Sequence, residues 1–440
     1  MHVQPHGAVP ASARFLLALL MILLGTSALH AQPKPWFIDE AELPFAALPG
    51  AAAYWGVQAG AGYRIEVPDQ WNGDLVMYAH GFRGDNPELT VSNPSIRAHL
   101  ISRGYAWAAS SYRANGYVPG IGARDTHTLV GRFKGLIGHP THVYIMGHSM
   151  GGHVTGVSVE QWPQTYAGAL PMCGVMGDAE LFDYFQDVYL VAETLVGNEP
   201  AIPTPEDYGS AGSVATRSQL GAGYPVVLND TGIRFREAIE NLTGGQRPTF
   251  DESFAVGPFG GNFIFGQAGT GAGRENLETV YQFDGDPALS AEEQAFNDTI
   301  VRLAADPQYR RKEGLGPYPG SRPRADAPPI NGNIRIPVIT LHTLGELFVP
   351  FHMEQIYARR VAARGNSHLL VSRAIRDVLH CGFTQEEQRR AFDDLVTWVE
   401  SGIRPEGDDI LNPEAVAAAD FGCAFTEGFS AFRGFLPACP

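Results

Sequence analysis

Residues 143–152 read Val-Tyr-Ile-Met-Gly-His-Ser-Met-Gly-Gly, which joins a short apolar run to a glycine-rich turn. The run predicts a buried strand, and Gly147, Ser149 and Gly151 form the pattern G-x-S-x-G directly after it. Such a turn strains the backbone at the serine, and only small neighbours let the strand and the next helix pass closely. The pattern therefore predicts a nucleophile elbow, with Ser149 Oγ raised out of the sheet beside a helix N-terminus.

Apolar runs alternate with amphipathic stretches along the chain, which indicates an α/β fold with a mostly parallel sheet flanked by helices. Strands are predicted at residues 63–67, 75–79, 105–111, 143–146, 167–171, 336–341 and 369–373. Helices are predicted at about residues 95–103, 126–136, 150–161, 181–196, 291–304, 350–363 and 384–400.

The alternation stops after residue 177 and resumes near residue 330. A loop of about 150 residues is implausible in a compact domain, so we expect the segment between to form an inserted cap. The predicted organisation is a signal peptide at 1–31, an α/β core in two parts at 32–177 and 330–405, a cap at 178–329, and a C-terminal tail at 406–440.

A serine hydroxyl needs an adjacent base to act as a nucleophile, and that base needs an orienting acid. With a nucleophile elbow the expected chain order is serine, acid, histidine. Glu346 lies in the loop after a late strand, and His380 lies in the loop before the last core helix. Both loops end at the same sheet edge as Ser149, so these three residues are the predicted catalytic set. Asp377 is too near His380 in sequence to orient it easily, and His368 is assigned a structural role.

An oxyanion hole is predicted from two backbone N–H groups, those of Met150 and Phe82, with Gly81 as the alternative to Phe82. Tyr112 follows a strand at the same edge of the sheet. Either substrate contact or packing fits its position.

No metal site and no cofactor are predicted. His148 and His153 flank the serine, but their spacing suggests opposite sides of a turn. The glycine-rich segment at 257–273 has neither the Walker A nor the Rossmann form. No C-x-x-C pair occurs, which disfavours a structural zinc site.

The N-terminus has the order of a secretory signal: Arg14, an apolar run at 15–24, then small residues. Cleavage after Ala28 or Ala31 fits, and the predicted location is secreted or periplasmic. The run is short for a bilayer span, and no later segment approaches that length, so no stable membrane anchor is expected. A net charge of −16 with no basic cluster disfavours nucleic acid as a partner. The oligomeric state stays open.

Export makes the four cysteines a disulfide-permissive set with three possible pairings. Cys423 and Cys439 are close together in the tail and form the favoured pair, which leaves Cys173 with Cys381.

Five stretches carry a resemblance to a known family: residues 80–82 (His-Gly-Phe), 110–117, 147–152, the turn from His342 to Pro350, and residues 380–384. With them the chain resembles secreted serine esterases of the α/β-hydrolase superfamily, of the bacterial prolyl-oligopeptidase-like and tannase/feruloyl-esterase-like types. The resemblance covers most of residues 50–405 and implies the α/β-hydrolase fold with a large inserted cap. Two positions differ: Glu346 stands where aspartate is usual, and His148 stands where tannase-type enzymes carry a cysteine before the nucleophile.

The expected function is cleavage of carboxylic esters through an acyl-enzyme on Ser149, with a small or polymeric ester as substrate. The alternatives are a serine peptidase or amidase of prolyl-oligopeptidase type, an extracellular polyester depolymerase, and a non-enzymatic binding protein on a retained scaffold. The acyl and alcohol groups of the ester stay open, because substrate choice lies in the cap.

Overall fold

An eight-stranded sheet lies at the centre of the protein. The computed structural model describes residues 36–84, 86–198, 211–222, 226–255, 275–304, 327–430 and 432–440. Contacts divide the chain into residues 1–36, of which Trp36 alone is described, and residues 37–440, which contain the sheet. The predicted signal peptide lies outside the described residues.

The strands are β1 Ala51–Gln58, β2 Ala61–Pro68, β3 Leu75–Ala79, β4 Ala106–Ser110, β5 Val143–His148, β6 Gly168–Met172, β7 Val338–Thr343 and β8 Leu370–Ile375. Their order across the sheet is β1-β2-β4-β3-β5-β6-β7-β8. β1 is antiparallel to β2, and β2 is antiparallel to β4. The strands from β4 onward in this order, including β3, pair in parallel. Every residue of β3, β4, β6, β7 and β8 is buried, as in a parallel sheet covered on both faces. The α/β prediction is confirmed.

The sequence did not predict β1. This strand forms the sheet edge and pairs with β2 alone, and its residues are half-buried or exposed. The strand reads Ala-Ala-Ala-Tyr-Trp-Gly-Val-Gln, and alanine and glycine, which are depleted in strands, make up four of its eight residues, so its sequence favours a strand only weakly.

Helices flank the sheet. They are α1 Arg97–Ser102, α2 Pro119–Leu136, α3 Met150–Gln161, α9 His352–Ala363 and α10 Gln385–Ser401. Helices α4 to α8 lie between β6 and β7 and are described below. α2 begins seven residues before its predicted start at residue 126. Its first turns contain Gly120 and Gly122, which are poor helix formers. A Cβ on Gly122 would lie 2.7 Å from Val154 Cγ2 of α3, so close helix packing requires glycine there. None of the helices in the described residues is both long and apolar enough to cross a membrane.

In the described residues between β6 and β7, within the predicted cap, five helices occur: α4 Glu180–Val196, α5 Ala211–Leu220, α6 Asp230–Leu242, α7 Phe250–Ala255 and α8 Ala291–Thr299. α4 and α8 match the predicted helices in this segment, although α8 ends five residues early. Residues 257–273 and most of 317–329 lie outside the described residues. The boundaries of the cap stay a prediction.

Two disulfides join the chain as predicted. Cys173–Cys381 spans 208 residues and ties the end of β6 to the loop that follows β8. Cys423–Cys439 spans 16 residues within the tail. The favoured pairing is confirmed.

The tail lies against the loop that contains His380. Arg433 donates to Asp377 Oδ2 at 3.1 Å and to the Gly382 carbonyl at 3.0 Å, and Ser430 Oγ donates to Asp377 Oδ2 at 2.6 Å. The opposite carboxylate oxygen of Asp377 accepts from the backbone N–H groups at residues 378 and 379. Asp377 therefore joins this loop to the tail and does not contact His380.

Candidate active site

Ser149 occupies the sharp turn between β5 and α3, with φ 59° and ψ −122°. This backbone conformation is strained for an L-residue, at a typical cost of about 1–3 kcal/mol. A Cβ on Gly147 would lie 2.3 Å from the Gly151 carbonyl oxygen, and a Cβ on Gly151 would lie 2.1 Å from the Ala79 carbonyl oxygen. Both positions therefore require glycine, because α3 starts against β5 and β3. The backbone has the geometry of the predicted elbow.

The three predicted catalytic side chains are joined by hydrogen bonds. Ser149 Oγ lies 2.8 Å from His380 Nε2, and His380 Nδ1 contacts Glu346 Oε2. Glu346 is 1% exposed, whereas the His380 side chain is 23% exposed. The acid is thus held away from water, and the histidine reaches the surface where a reactant can enter.

Ser149 follows β5, Glu346 follows β7 and His380 follows β8 in the sheet described above. This is the chain order of serine, acid and histidine that is expected with a nucleophile elbow. The chain has the α/β-hydrolase fold. Within this fold, the three side chains come from loops at the carboxyl ends of β5, β7 and β8, where parallel sheets place their binding crevices.

The loop after β3 runs beside Ser149. A Cβ on Gly81 would lie 3.2 Å from Ser149 Cβ and 3.7 Å from Ser149 Oγ. Met150 begins α3, and the first N–H groups of a helix have no partner within it. The neighbouring Phe82 side chain is 48% exposed. The loop and the helix start are thus next to the serine, and the assignment of Met150 and Phe82 as oxyanion donors stays a prediction.

Tyr112 is fully buried beneath this loop. Its ring stacks on His80 with 4.0 Å between the centroids, and its hydroxyl donates to the His80 carbonyl at 3.1 Å. The two imidazole nitrogens of His80 face the carbonyls of Gly81 and Ser111, and burial lowers the pKa of His80 to about 3. A side chain without exposed surface cannot line an open pocket. The position of Tyr112 therefore corrects the substrate-contact alternative in favour of packing.

His148, which precedes Ser149, has a hydrogen-bond partner on each side of its ring. Tyr78 Oη lies 3.3 Å from its Nδ1, and Gln388 Oε1 lies 3.2 Å from its Nε2. Burial lowers the pKa of His148 to about 4, so the ring is neutral near pH 7. His148 thereby links β3 and β5 to the start of α10.

Aromatic rings lie beside the histidine of the site. The Phe348 ring meets His380 edge-on, with 5.2 Å between the centroids, and stacks on Phe185 of α4 at 5.8 Å. Phe348 is half-buried, whereas Phe185 is buried. An apolar surface from the predicted cap thus reaches the reactive edge.

The sequence did not indicate a second partner of Glu346, His342 at the end of β7. Its Nε2 lies 3.1 Å from Glu346 Oε1, and its Nδ1 lies 3.2 Å from Glu354 Oε1 on α9. Burial would raise the pKa of Glu346, but the neighbouring His380 and His342 hold it below its ordinary value. Glu346 is therefore ionised near neutral pH. The separation of 12 residues between His342 and Glu354 gave no signal without the structure.

Among the residues that the structure describes, one group of side chains has metal-ligand atoms close together: Cys173, His380 and Cys381, all within 4.8 Å. The two sulfurs are joined in a disulfide, and both His380 nitrogens engage the other site residues. This cluster therefore offers no free ligand set. His153 contacts Tyr117 Oη and the Pro328 carbonyl, which are not the hydrogen-bond partners of His148.

Comparison with known proteins gives distant similarity over most of the chain. No family model matches. The o-phthalyl amidase of Xanthobacter agilis is 21% identical over 415 residues, which cover 82% of this chain and 90% of that protein. Feruloyl esterase B from Aspergillus oryzae is similar in structure, with a TM-score of 0.45 and 14% identity over 81% of this chain and 82% of that chain. Proline iminopeptidase from Mycobacterium smegmatis has a TM-score of 0.40 and 10% identity over 80% of this chain and 100% of that chain.

Proposed function

We propose that the protein is an exported serine hydrolase that cleaves carboxylic esters. The observation that carries the proposal is the continuous hydrogen-bonded set of Ser149, His380 and Glu346 at a strained elbow. Strain of this kind persists only where the surrounding structure imposes it, and it is frequent at reactive sites. The exposed edge of His380 leaves room for a substrate beside the serine.

The proposed reaction begins when Ser149 Oγ attacks the ester carbonyl carbon and its proton moves to His380 Nε2. The ionised Glu346 stabilises the imidazolium that forms. The N–H groups of Met150 and Phe82 donate to the oxyanion of the tetrahedral intermediate. His380 then gives its proton to the leaving alcohol oxygen as the C–O bond breaks, which leaves an acyl-enzyme. Water repeats the sequence, with His380 as base, and releases the acid.

Amide cleavage is the second candidate, and the similarity to an o-phthalyl amidase favours it. The same proton transfer from His380 would serve an amine leaving group. The aromatic surface at Phe348 fits an aryl group on the acyl side in either case. We prefer ester cleavage because an alkoxide is a better leaving group than an amine anion. For the same reason, an amidase with this set of side chains would also hydrolyse activated esters.

Labelling with a fluorophosphonate tests the nucleophile. We expect the wild-type protein to be labelled and Ser149→Ala to remain unlabelled, with Ser110→Ala, a buried serine on β4, as the matched control. Equal labelling of wild type and Ser149→Ala would remove both candidates. Rates on p-nitrophenyl esters of rising chain length, aryl esters, polyester particles and peptide anilides would then separate esterase, depolymerase and peptidase.

Export is proposed from the N-terminal sequence and is consistent with the two disulfides. N-terminal sequencing of protein recovered outside the cytoplasm should begin at residue 29 or residue 32. An intact residue 1 on the recovered protein would contradict cleavage.

A further inference from the structure

His342 lies between two buried carboxylates. The side chains of His342, Glu346 and Glu354 are each 1% exposed. Nδ1 of the ring faces Glu354 Oε1 at 3.2 Å. Nε2 faces the Val349 carbonyl at 2.6 Å and Glu346 Oε1 at 3.1 Å. Both ring nitrogens thus face oxygens that are hydrogen-bond acceptors when the carboxylates are ionised.

The charges of this cluster determine the protonation of the ring. A buried ionised carboxylate needs a cation or several hydrogen-bond donors. In the described part of the chain, Glu346 Oε1 and Glu354 Oε2 accept no hydrogen bond. A neutral imidazole would also turn a lone pair toward one of the facing oxygens. An imidazolium instead donates from Nδ1 to Glu354 Oε1 and from Nε2 to the Val349 carbonyl, and its positive charge, with Nε2 3.1 Å from Glu346 Oε1, compensates the two negative charges. Burial lowers the pKa of His342, but the carboxylates outweigh it and raise the pKa to about 10.

Other histidines near the site have different surroundings. His80 and His148 contact carbonyls, an amide or a tyrosine hydroxyl. Neither of these two described rings is paired with a carboxylate in those contacts. The two carboxylates thus distinguish His342 from these rings.

The remaining titratable and charged groups around this loop come from several elements. Arg247 donates to the Leu344 carbonyl at 2.7 Å, and Tyr184 donates to the Leu347 carbonyl at 2.9 Å. On α9, Tyr357 is fully buried, and burial lowers the pKa of His352 to about 3. His380 completes the set through Glu346. Neither Arg247 nor His352 forms an ion pair with Glu346 or Glu354 in these contacts.

We propose that His342 is a positioning residue: a permanent buried imidazolium that orients the Glu346 carboxylate toward His380 and keeps it ionised, with Glu354 as its counter-ion. The inference rests on the proposed function, because it assigns Glu346 as the acid of the hydrolytic set. The site then carries two histidines with opposite roles. His380 exchanges a proton in each step, and His342 keeps its proton throughout.

The first test reads the protonation of His342 without using activity. In protein labelled with ¹⁵N at histidine, the His342 signals are assigned by their loss in His342→Gln. Both ring nitrogens should show the chemical shifts of protonated nitrogen at every pH from 6 to 8.5. A shift typical of an unprotonated Nδ1 at pH 7 would overturn the inference, because Glu354 would then hold the proton.

The second test uses the pH dependence of kcat/KM on an activated ester, whose acid limb reports protonation of the base in the free enzyme. His342→Gln removes a positive charge, so His380 should hold its proton more tightly and the acid limb should move about one pH unit higher. Glu354→Gln removes a negative charge and should move the limb in the opposite direction. An acid limb that stays in place in His342→Gln would overturn the inference.

Controls separate this outcome from failure of the proposed function. His99→Gln carries the same substitution at a pair with Asp393 between α1 and α10 and should leave the pH profile unchanged. If His342→Gln does not fold, the direction in which the acid limb moves in Glu354→Gln still decides. A wild-type protein that neither binds fluorophosphonate nor hydrolyses esters would refute the proposed function, whereas an active protein with a neutral His342 would refute this inference alone.

Discussion

The two disulfides should differ in what their removal does. In a chain-entropy treatment, closing a loop of 208 residues stabilises the folded state by about 5 kcal/mol, and closing a loop of 16 residues does so by about 3 kcal/mol. The double variant Cys173→Ala/Cys381→Ala should therefore lose about 2 kcal/mol more free energy of unfolding than Cys423→Ala/Cys439→Ala. Urea unfolding of both variants beside the wild-type protein measures the difference.

Activity should separate the two disulfides further. Cys381 directly follows His380, and Cys173 directly follows Met172, whose carbonyl accepts from the Ser149 N–H at 3.0 Å. The longer bridge thus fixes His380 relative to Ser149. A misplacement of about 1 Å can cost about 10²-fold in rate, so kcat of the Cys173/Cys381 variant should fall by that order.

The tail variant should keep kcat within about threefold of the wild-type value, because Arg433 still contacts Asp377 and the Gly382 carbonyl. The explanation fails if the Cys173/Cys381 variant is no less stable than the tail variant, or if it keeps wild-type kcat.

Four further predictions concern the site and its supports. Glu346→Gln should lower kcat by about 10³–10⁴-fold with unchanged circular dichroism, since the neutral amide no longer stabilises the imidazolium; a silent variant would mean that the acid is misassigned. Phe82→Pro removes a backbone donor and should lower kcat by about 10²–10³-fold, whereas Phe82→Ala keeps the donor and should change kcat little; equal losses would place the second donor elsewhere. Gly151→Ala should prevent stable folding because its Cβ would overlap the Ala79 carbonyl. Gly131→Ala, in open space on α2, should instead raise the free energy of unfolding by about 0.5–1 kcal/mol in thermal or urea melts. His148 has a pKa of about 4 in the folded protein and about 6.5 in the unfolded chain. Its protonation should therefore lower the free energy of unfolding by about 1.4 kcal/mol per pH unit as the pH drops from 6.5 toward 4. Urea melts of His148→Gln over the same pH range should show a smaller loss of that free energy.

The sequence predicted the centre of the fold because that centre is governed by local rules. A fully buried parallel strand is an apolar run, and the close approach at Gly147 and Gly151 leaves room for no other residue. The positions of Glu346 and His380 followed from chain order once Ser149 was in place. The structure joins these three side chains by hydrogen bonds, and their chemical roles await the tests above.

What the sequence did not contain are contacts between distant elements. His342 reads as an ordinary residue at a strand end, and its counter-ion Glu354 lies on the next helix, where a glutamate on a helix is unremarkable. Tyr112 follows an active-edge strand, as a substrate contact would, yet its ring turns inward onto His80. The edge strand β1 lacks a buried face. In each case the deciding interaction joins elements that are distant in sequence, and the local sequence pattern does not indicate that interaction.

The contacts of Arg433 have a consequence for synthesis. A ribosome adds His380 to the chain about fifty residues before it adds Arg433, and the nascent loop at 377–382 lacks the hydrogen bonds that anchor Asp377 and Gly382. The loop at 377–382 therefore gains these hydrogen bonds only after the tail has left the ribosome and folded back onto it.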